Sequence, residues 1–304
     1  MIRNNILILG SDSFIAQKFI SQYSNNFSIA GISRVKTGIA NEYVITDFIE
    51  INTDVFNNVK VVFNFAAIVH RPDIKDEKIY DEVNYRLAIL NAQKAKKAGV
   101  KLFIQMSTIA VYGNASDISI DTPCSPQNAY GRSKLKADNE LLLMQDNIFK
   151  VAVFRIPMVY GGGKAPGNMM RLIGMADKKI PLPFKGINNS RDFINVNNLI
   201  QYLNIVAEKQ LSGIYLISDQ QPVSTEYLLS TISKYLRKKV SLAKIPKWFL
   251  KLMRLILPNE FDKLYGTLKV YPNFPYEKLI NRVTVENGIR EMVESFIKSK
   301  KITK

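Results

Sequence analysis

The sequence predicts an α/β fold: a doubly wound parallel sheet followed by a smaller C-terminal subdomain. Three observations carry this. Short β-rich runs alternate with helical patterns through the first half of the chain. Those runs are apolar almost throughout, as strands of a sheet covered on both faces must be. After Pro157 the rhythm breaks into loops marked by glycine and proline, followed by further helices.

The elements read in order as follows. Asn5–Gly10 is the first strand, with Ile6-Leu-Ile-Leu9 as its apolar run, and Phe14–Tyr23 is the helix after it. Ser28–Ser33, Lys60–Ala67, Lys101–Ser107 and Lys150–Pro157 are the next strand-like segments. Asp81–Ala98 is helical and ends at Gly99, a residue suited to the C′ position. Tyr130–Asp146 is the third helix. Gly161-Gly-Gly163 and Pro181–Pro183 mark loops, and a helix at Asn197–Lys209, a strand at Gly213–Ser218 and a helix at Thr225–Arg237 follow. Two basic amphipathic helices read near Pro246–Leu257 and Val285–Ser299.

Composition narrows the function classes. The 304 residues are 47% hydrophobic and 22% charged, the balance of an ordinary globular protein. No run of 18 apolar residues predicts a membrane-crossing helix. The chain enters its first strand too early for a signal peptide, so a cytoplasmic location is expected. One cysteine, Cys124, suits a reducing compartment. With His70 as the single histidine, a zinc site is not expected. The net charge of +16 fits nucleic acid, an anionic membrane surface or anionic small substrates. No zinc-finger spacing or internal basic arm occurs, so no nucleic-acid partner is expected; the Lys298–Lys304 tail reads as a solvated end.

The turn after the first strand carries a nucleotide signal. Glycine-rich dinucleotide turns place glycine at three spaced positions. Here Gly10 holds the first, and small Ser13 and Ala16 hold the others. Amides at the start of the following helix suit phosphates. The second strand ends Ser33-Arg34, where a carboxylate would accept ribose hydroxyls; serine and arginine instead suit a 2′-phosphate. Arg34 is therefore the reason to prefer NADP over NAD. Asp47-Phe48 is an adenine-contact candidate, and Asn64–Ala67 ends a strand with small residues that would let a cofactor pass.

Tyr130-Gly-Arg-Ser-Lys134 puts a phenol and an ammonium on one helix face. A free phenol titrates at about 10. A nearby cation favours the phenolate and so makes the residue a usable acid/base.

The landmarks around this pair resemble the extended short-chain dehydrogenases/reductases, specifically the nucleotide-sugar epimerase, dehydratase and 4-reductase group. They are Ile8-Leu-Gly-Ser-Asp-Ser-Phe-Ile-Ala16, Asn64-Phe-Ala-Ala67, Asn84, Met106-Ser-Thr-Ile-Ala-Val-Tyr-Gly113, Tyr130–Lys134, Arg155-Ile-Pro-Met-Val-Tyr-Gly161 and Ser190-Arg-Asp-Phe-Ile194. The resemblance implies a Rossmann-type NAD(P)-binding domain, mainly 1–160, and a substrate-binding subdomain, mainly 161–304, with 190–218 returning to the core. It implies that Tyr130 is the acid/base, that Lys134 binds the nicotinamide ribose and tunes the tyrosine, and that Thr108 hydrogen-bonds the C4 oxygen. Ser107 is then a supporting residue. Gly10, Ser13, Phe14, Ile15, Ser33, Arg34, Asp47, Phe48, Ala66, Ala67, Asn84, Ser107, Tyr130, Lys134 and Pro157 would line the cofactor. Arg191 would grip the substrate diphosphate, a task suited to a guanidinium, with Asn168 as a second substrate contact.

The implied chemistry is hydride exchange at C4 of a UDP-linked hexose or N-acetylhexosamine, in surface-polysaccharide synthesis. Thr108 is followed by Ile109-Ala110, where the group's dehydratases carry Asp-Glu, which argues against a dehydratase. Arg34 and the substituted glycines lean toward an exchangeable NADPH and a 4-keto-6-deoxy sugar 4-reductase. The alternative is a UDP-sugar 4-epimerase, including one acting on a lipid-linked sugar. A non-catalytic NADP-binding scaffold is the alternative of another class, opposed by intact Thr108, Tyr130 and Lys134. The group implies a homodimer. The basic helix containing Lys244, Lys247, Lys251 and Arg254 suits either an anionic membrane surface or ordinary packing with its lysines in water.

Overall fold

The computed structural model describes residues 5–69, 76–163, 165–178, 180–257, 261–262 and 265–302. His70 and the last two residues of the basic tail lie outside these residues. Seven parallel strands form the central sheet: β1 (Asn5–Leu9), β2 (Ser28–Ser33), β3 (Asn41–Val44), β4 (Val61–Asn64), β5 (Leu102–Thr108), β6 (Lys150–Ile156) and β7 (Gly213–Leu216). Their order across the sheet is β7-β6-β5-β4-β1-β2-β3. The order reverses between β1 and β4, which opens a crevice at the carboxyl ends of those two strands.

Alternation along β1 shows how the layers form. Ile6 and Ile8 join the core beneath α1 (Phe14–Tyr23) and α5 (Val196–Lys209), while Leu7 and Leu9 join the core beneath α2 (Leu87–Lys97). Successive strand residues point to opposite faces, so both faces must be apolar. β3 is the edge strand before Asp47, to which the sequence reading gives no bounds. Its residues are exposed or half-buried, so it shows no apolar run.

Two departures concern the site. The helix expected at Asp81–Ala98 begins with a turn at Lys78–Tyr80 and a π-helical stretch at Asp81–Arg86 before α2 proper. The helix expected at Tyr130–Asp146 is α3 (Ala129–Leu143). A separate core forms in the second half around α4 (Asn168–Asp177), α6 (Thr225–Leu236) and α8 (Val285–Ile302), with α7 (Lys247–Ile256) against it. The strand pair Lys269–Val270 and Asp117–Ile118 joins this half to the loop between Thr108 and Tyr130.

Candidate active site

The start of α3 is fixed by its sequence. Asn128 caps the helix, accepting from the Gly131 amide at 2.8 Å. A side chain at Gly131 would meet the Ala110 carbonyl oxygen at 2.7 Å, so only glycine lets the helix approach the turn that follows β5. That approach brings the Thr108 hydroxyl beside the Tyr130 phenol. Tyr80 stacks edge-on to the Tyr130 ring at 6.5 Å.

One turn further along α3, Lys134 is buried and donates to the Met106 carbonyl oxygen at 2.9 Å. Another turn on, Asp138 is wholly buried. Its Oδ2 accepts from Ser107 Oγ at 2.8 Å and from Arg155 Nε at 3.0 Å. Arg155 Nη1 in turn donates to the Tyr112 hydroxyl at 2.9 Å. Ser107 therefore faces away from Thr108 into a buried ion pair, which is what strand alternation requires.

The electrostatics correct one expectation. The phenol is not lowered by the neighbouring ammonium; burial pushes Tyr130 up to about 12, opposed by the Thr108 hydrogen bond and reinforced by the charge of Asp138. Burial draws Lys134 down to about 8, with Asp138 pulling it back up. Asp138 is itself raised to about 6 by burial, against the stabilising pull of Arg155 and Ser107. Desolvation outweighs attraction at Tyr130, Lys134 and Asp138 and shifts each toward its neutral form, whereas Asp138 and Tyr112 hold Arg155 charged.

Asn84 sits in the π-helical stretch and is fully engaged. Its amide nitrogen donates to the Ile68 carbonyl and to Ser133 Oγ, and its oxygen accepts from the Ile68 amide. Ser133 Oγ donates to the Tyr130 carbonyl. Asn84 therefore braces the loop after β4 against α3, and its side chain is committed to the protein.

The crevice fits a dinucleotide. Gly10 has φ +77°, and a Cβ there would lie 2.7 Å from the Ala66 amide, so the turns after β1 and β4 touch. Ser13 caps α1 by accepting from the Ala16 amide. Ser11 Oγ is buried without a partner among the described residues, an orphan polar atom beside the turn. An orphaned hydroxyl and a helix N-terminus at a switch point form a cradle for phosphate. Phe14 and Ile15 open α1 as half-buried residues, and Ala66 and Ala67 stand half-buried and exposed. At the end of β2, Ser33 donates to the Val35 carbonyl at 2.6 Å, and Arg34 is exposed. Asp47 is exposed and caps a short helical turn through its bond from the Ile49 amide; Phe48 packs on the core below α2. Pro157 is buried directly after β6.

Arg191 lies in the second half of the chain. Its backbone bonds both ways with Val223, and Nη1 donates to the carbonyls of Asp262 and Gly266 at 2.9 and 2.8 Å. Nε and Nη2 make no hydrogen bond to a described residue. Asn168 is exposed at the start of α4, and no hydrogen bond joins it to Arg191. Sequence reasoning missed Asp138 and the role of Arg155. The signal was present: Tyr130, Lys134 and Asp138 recur at steps of four on one helix.

Residues 6–218 match the NAD dependent epimerase/dehydratase family. The chain is 27% identical to a UDP-glucose 4-epimerase of Vibrio cholerae, across 97% of this chain and 96% of that protein. It is 22% identical to the N-acetyl-alpha-D-glucosaminyl-diphospho-ditrans,octacis-undecaprenol 4-epimerase of Escherichia coli O157:H7, across 81% of this chain and 76% of the relative. Its fold is similar to that of UDP-glucuronic acid 4-epimerase from Bacillus cereus in complex with NAD. There the TM-score is 0.76 at 18% identity, covering 97% of this chain and 99% of the other.

Proposed function

The chain belongs to the NAD dependent epimerase/dehydratase family, and from that premise we propose that it is a 4-epimerase of a UDP-linked hexose or N-acetylhexosamine. The observation that carries this reading is the Thr108 hydroxyl set beside the Tyr130 phenol, with Lys134 buried one helical turn on. The two relatives reported above are 4-epimerases, which moves the preference from the reductase to the epimerase. Ile109-Ala110 still argues against a dehydratase.

NAD is the proposed cofactor, in keeping with the family and with the Bacillus cereus neighbour. Gly10, the Ser11 hydroxyl and the amides opening α1 would hold its pyrophosphate, and Lys134 its nicotinamide ribose. Bound there, the cofactor supplies hydride chemistry at the sugar C4. The chain supplies position and proton movement. Thr108 holds the C4 oxygen beside Tyr130, and the Tyr130 phenol passes the proton to or from that oxygen. A phenol raised to about 12 is ready to donate. The Thr108 hydroxyl beside it favours the phenolate needed for the reverse transfer. Arg191 would grip the diphosphate with the donors left by its two carbonyl bonds. We place the enzyme in surface-polysaccharide synthesis, as a homodimer; sedimentation of the purified chain checks the latter.

Arg34 favours a second reading. An exposed guanidinium at the end of β2 suits a 2′-phosphate, hence NADPH and a 4-keto sugar reductase. Identification of the copurifying nucleotide, followed by incubation with UDP-N-acetylglucosamine and with its 4-keto-6-deoxy derivative, separates the two. Epimer formed without added cofactor supports the epimerase. Stoichiometric NADPH loss with the keto sugar would overturn it in favour of the reductase.

A further inference from the structure

Helix α7 turns its apolar side away from the protein. Leu250 and Met253 rest on the core of the second half. Trp248, Leu255 and Ile256 are 67%, 80% and 63% exposed, with Leu252 exposed between them. At about 100° per residue, these four fill one sector of the helix, Leu250 and Met253 a second, and Lys251 and Arg254 a third. A surface helix ordinarily turns its apolar stripe inward. Here the packing reading of this segment accounts for only two of its apolar residues.

Charge identifies the complementary surface. From Tyr227 to Asn259 the sequence carries eight Lys and Arg and neither Asp nor Glu. Lys234 and Lys238 are paired with Glu286 and Asp177. Lys244, Lys251 and Arg254 are exposed and make no ion pair with a described residue. A second copy of this surface would bring like charges together, which opposes a symmetric contact. An anionic bilayer answers both features at once, taking the apolar sector into the headgroup boundary and the cations onto phosphates. Among the described residues no helix is long and apolar enough to cross a membrane, so the contact would be peripheral.

We propose that α7 docks the protein on anionic phospholipid surfaces, with Trp248, Leu252, Leu255 and Ile256 inserted and Lys251 and Arg254 at the phosphates. Docking does not depend on which sugar reaction the cleft performs. Its place is nonetheless telling: the chain after α7 supplies the Asp262 and Gly266 carbonyls that hold Arg191. Membrane contact would therefore bear on the segment that sets this guanidinium.

Trp248 is the only tryptophan, so fluorescence of the unmodified full chain reads this surface alone. With phosphatidylcholine vesicles containing phosphatidylglycerol at low salt, its emission shifts to the blue and is quenched by brominated lipid. High salt reverses the shift, and pure phosphatidylcholine gives much weaker binding. Lys251→Gln with Arg254→Gln weakens partitioning about thirtyfold, as two charges worth about 1 kcal/mol each require. Trp248→Ser with Leu255→Ser stays folded by circular dichroism and no longer co-sediments with the anionic vesicles. No blue shift on anionic vesicles, or equal binding by the charge variant, overturns the proposal. So does a blue shift that appears without lipid as protein concentration rises, because a second copy would then cover the helix.

Discussion

Lys134 Nζ donates to the Met106 carbonyl oxygen at 2.9 Å, tying the helix that carries Tyr130 to the strand that ends in Thr108. Both partners are buried, so the bond is charge-assisted and shielded from water. It fixes the depth at which α3 lies against β5. The approach of Thr108 to Tyr130 depends on that depth.

Tyr130→Phe removes the proposed proton carrier and keeps the ring that Tyr80 meets. Turnover is expected to fall by about 10²–10⁴, the usual worth of a positioned acid/base. The thermal midpoint and bound nucleotide should change little. Steady-state kinetics beside a melting curve check this, and turnover within a factor of about three of wild type would remove Tyr130 from the mechanism.

Lys134 predicts a pH-dependent stability. Burial lowers it to about 8 from 10.5, so the native state gives up this proton before the unfolded chain does. Between those values the unfolded state binds more protons, and the Lys134 contribution makes stability rise with pH. Below pH 8 the folded protein bears the full cost of the buried ammonium. Lys134→Met lacks that term. Urea unfolding from pH 7 to 10.5 should move the stability difference toward wild type by ~3 kcal/mol. A difference that stays flat would show an ammonium in water.

Asp138→Asn leaves Arg155 as a buried guanidinium without its counter-charge. The expected loss of stability is about 3–5 kcal/mol. Adding Arg155→Met should recover part of it, because the two residues act as a pair. Denaturant midpoints of the two single variants and the double variant form the required cycle; strict additivity would mean no coupling.

Arg191→Gln tests the substrate side. Losing a charge-assisted contact worth about 1.5–3 kcal/mol raises KM for the UDP-sugar about 10–100-fold and leaves kcat nearer wild type. Calorimetric titration with UDP should weaken in parallel. A thermal melt is the control, because the same guanidinium holds the carbonyls of Asp262 and Gly266. Unaltered UDP affinity would place the diphosphate elsewhere.

What was legible in the sequence followed from periodicity. Strand runs such as Ile6–Leu9 are apolar on both faces because both faces are covered, and the Tyr130–Lys134 spacing needs only the helical repeat. The bounds of β3 were hidden because an edge strand with half-exposed residues shows no apolar run. The π-helical stretch was hidden because an extra residue per turn leaves no compositional mark, and it carries Asn84 to the loop after β4. The balance at Tyr130 could not be read either. Sequence shows that a cation is near, and only packing shows that burial outweighs it. Helix α7 has the same lesson: its pattern announces two faces and not which of them meets the protein.

In the proposed reaction hydride leaves and returns to one C4 while Tyr130 moves the proton. Protein as purified, without added cofactor, is incubated with UDP-glucose and with UDP-N-acetylglucosamine in D₂O and followed by proton NMR. The account predicts the C4 epimer of at least one of them with protium retained at C4. Deuterium at C4 would contradict it, as would no epimer from either sugar.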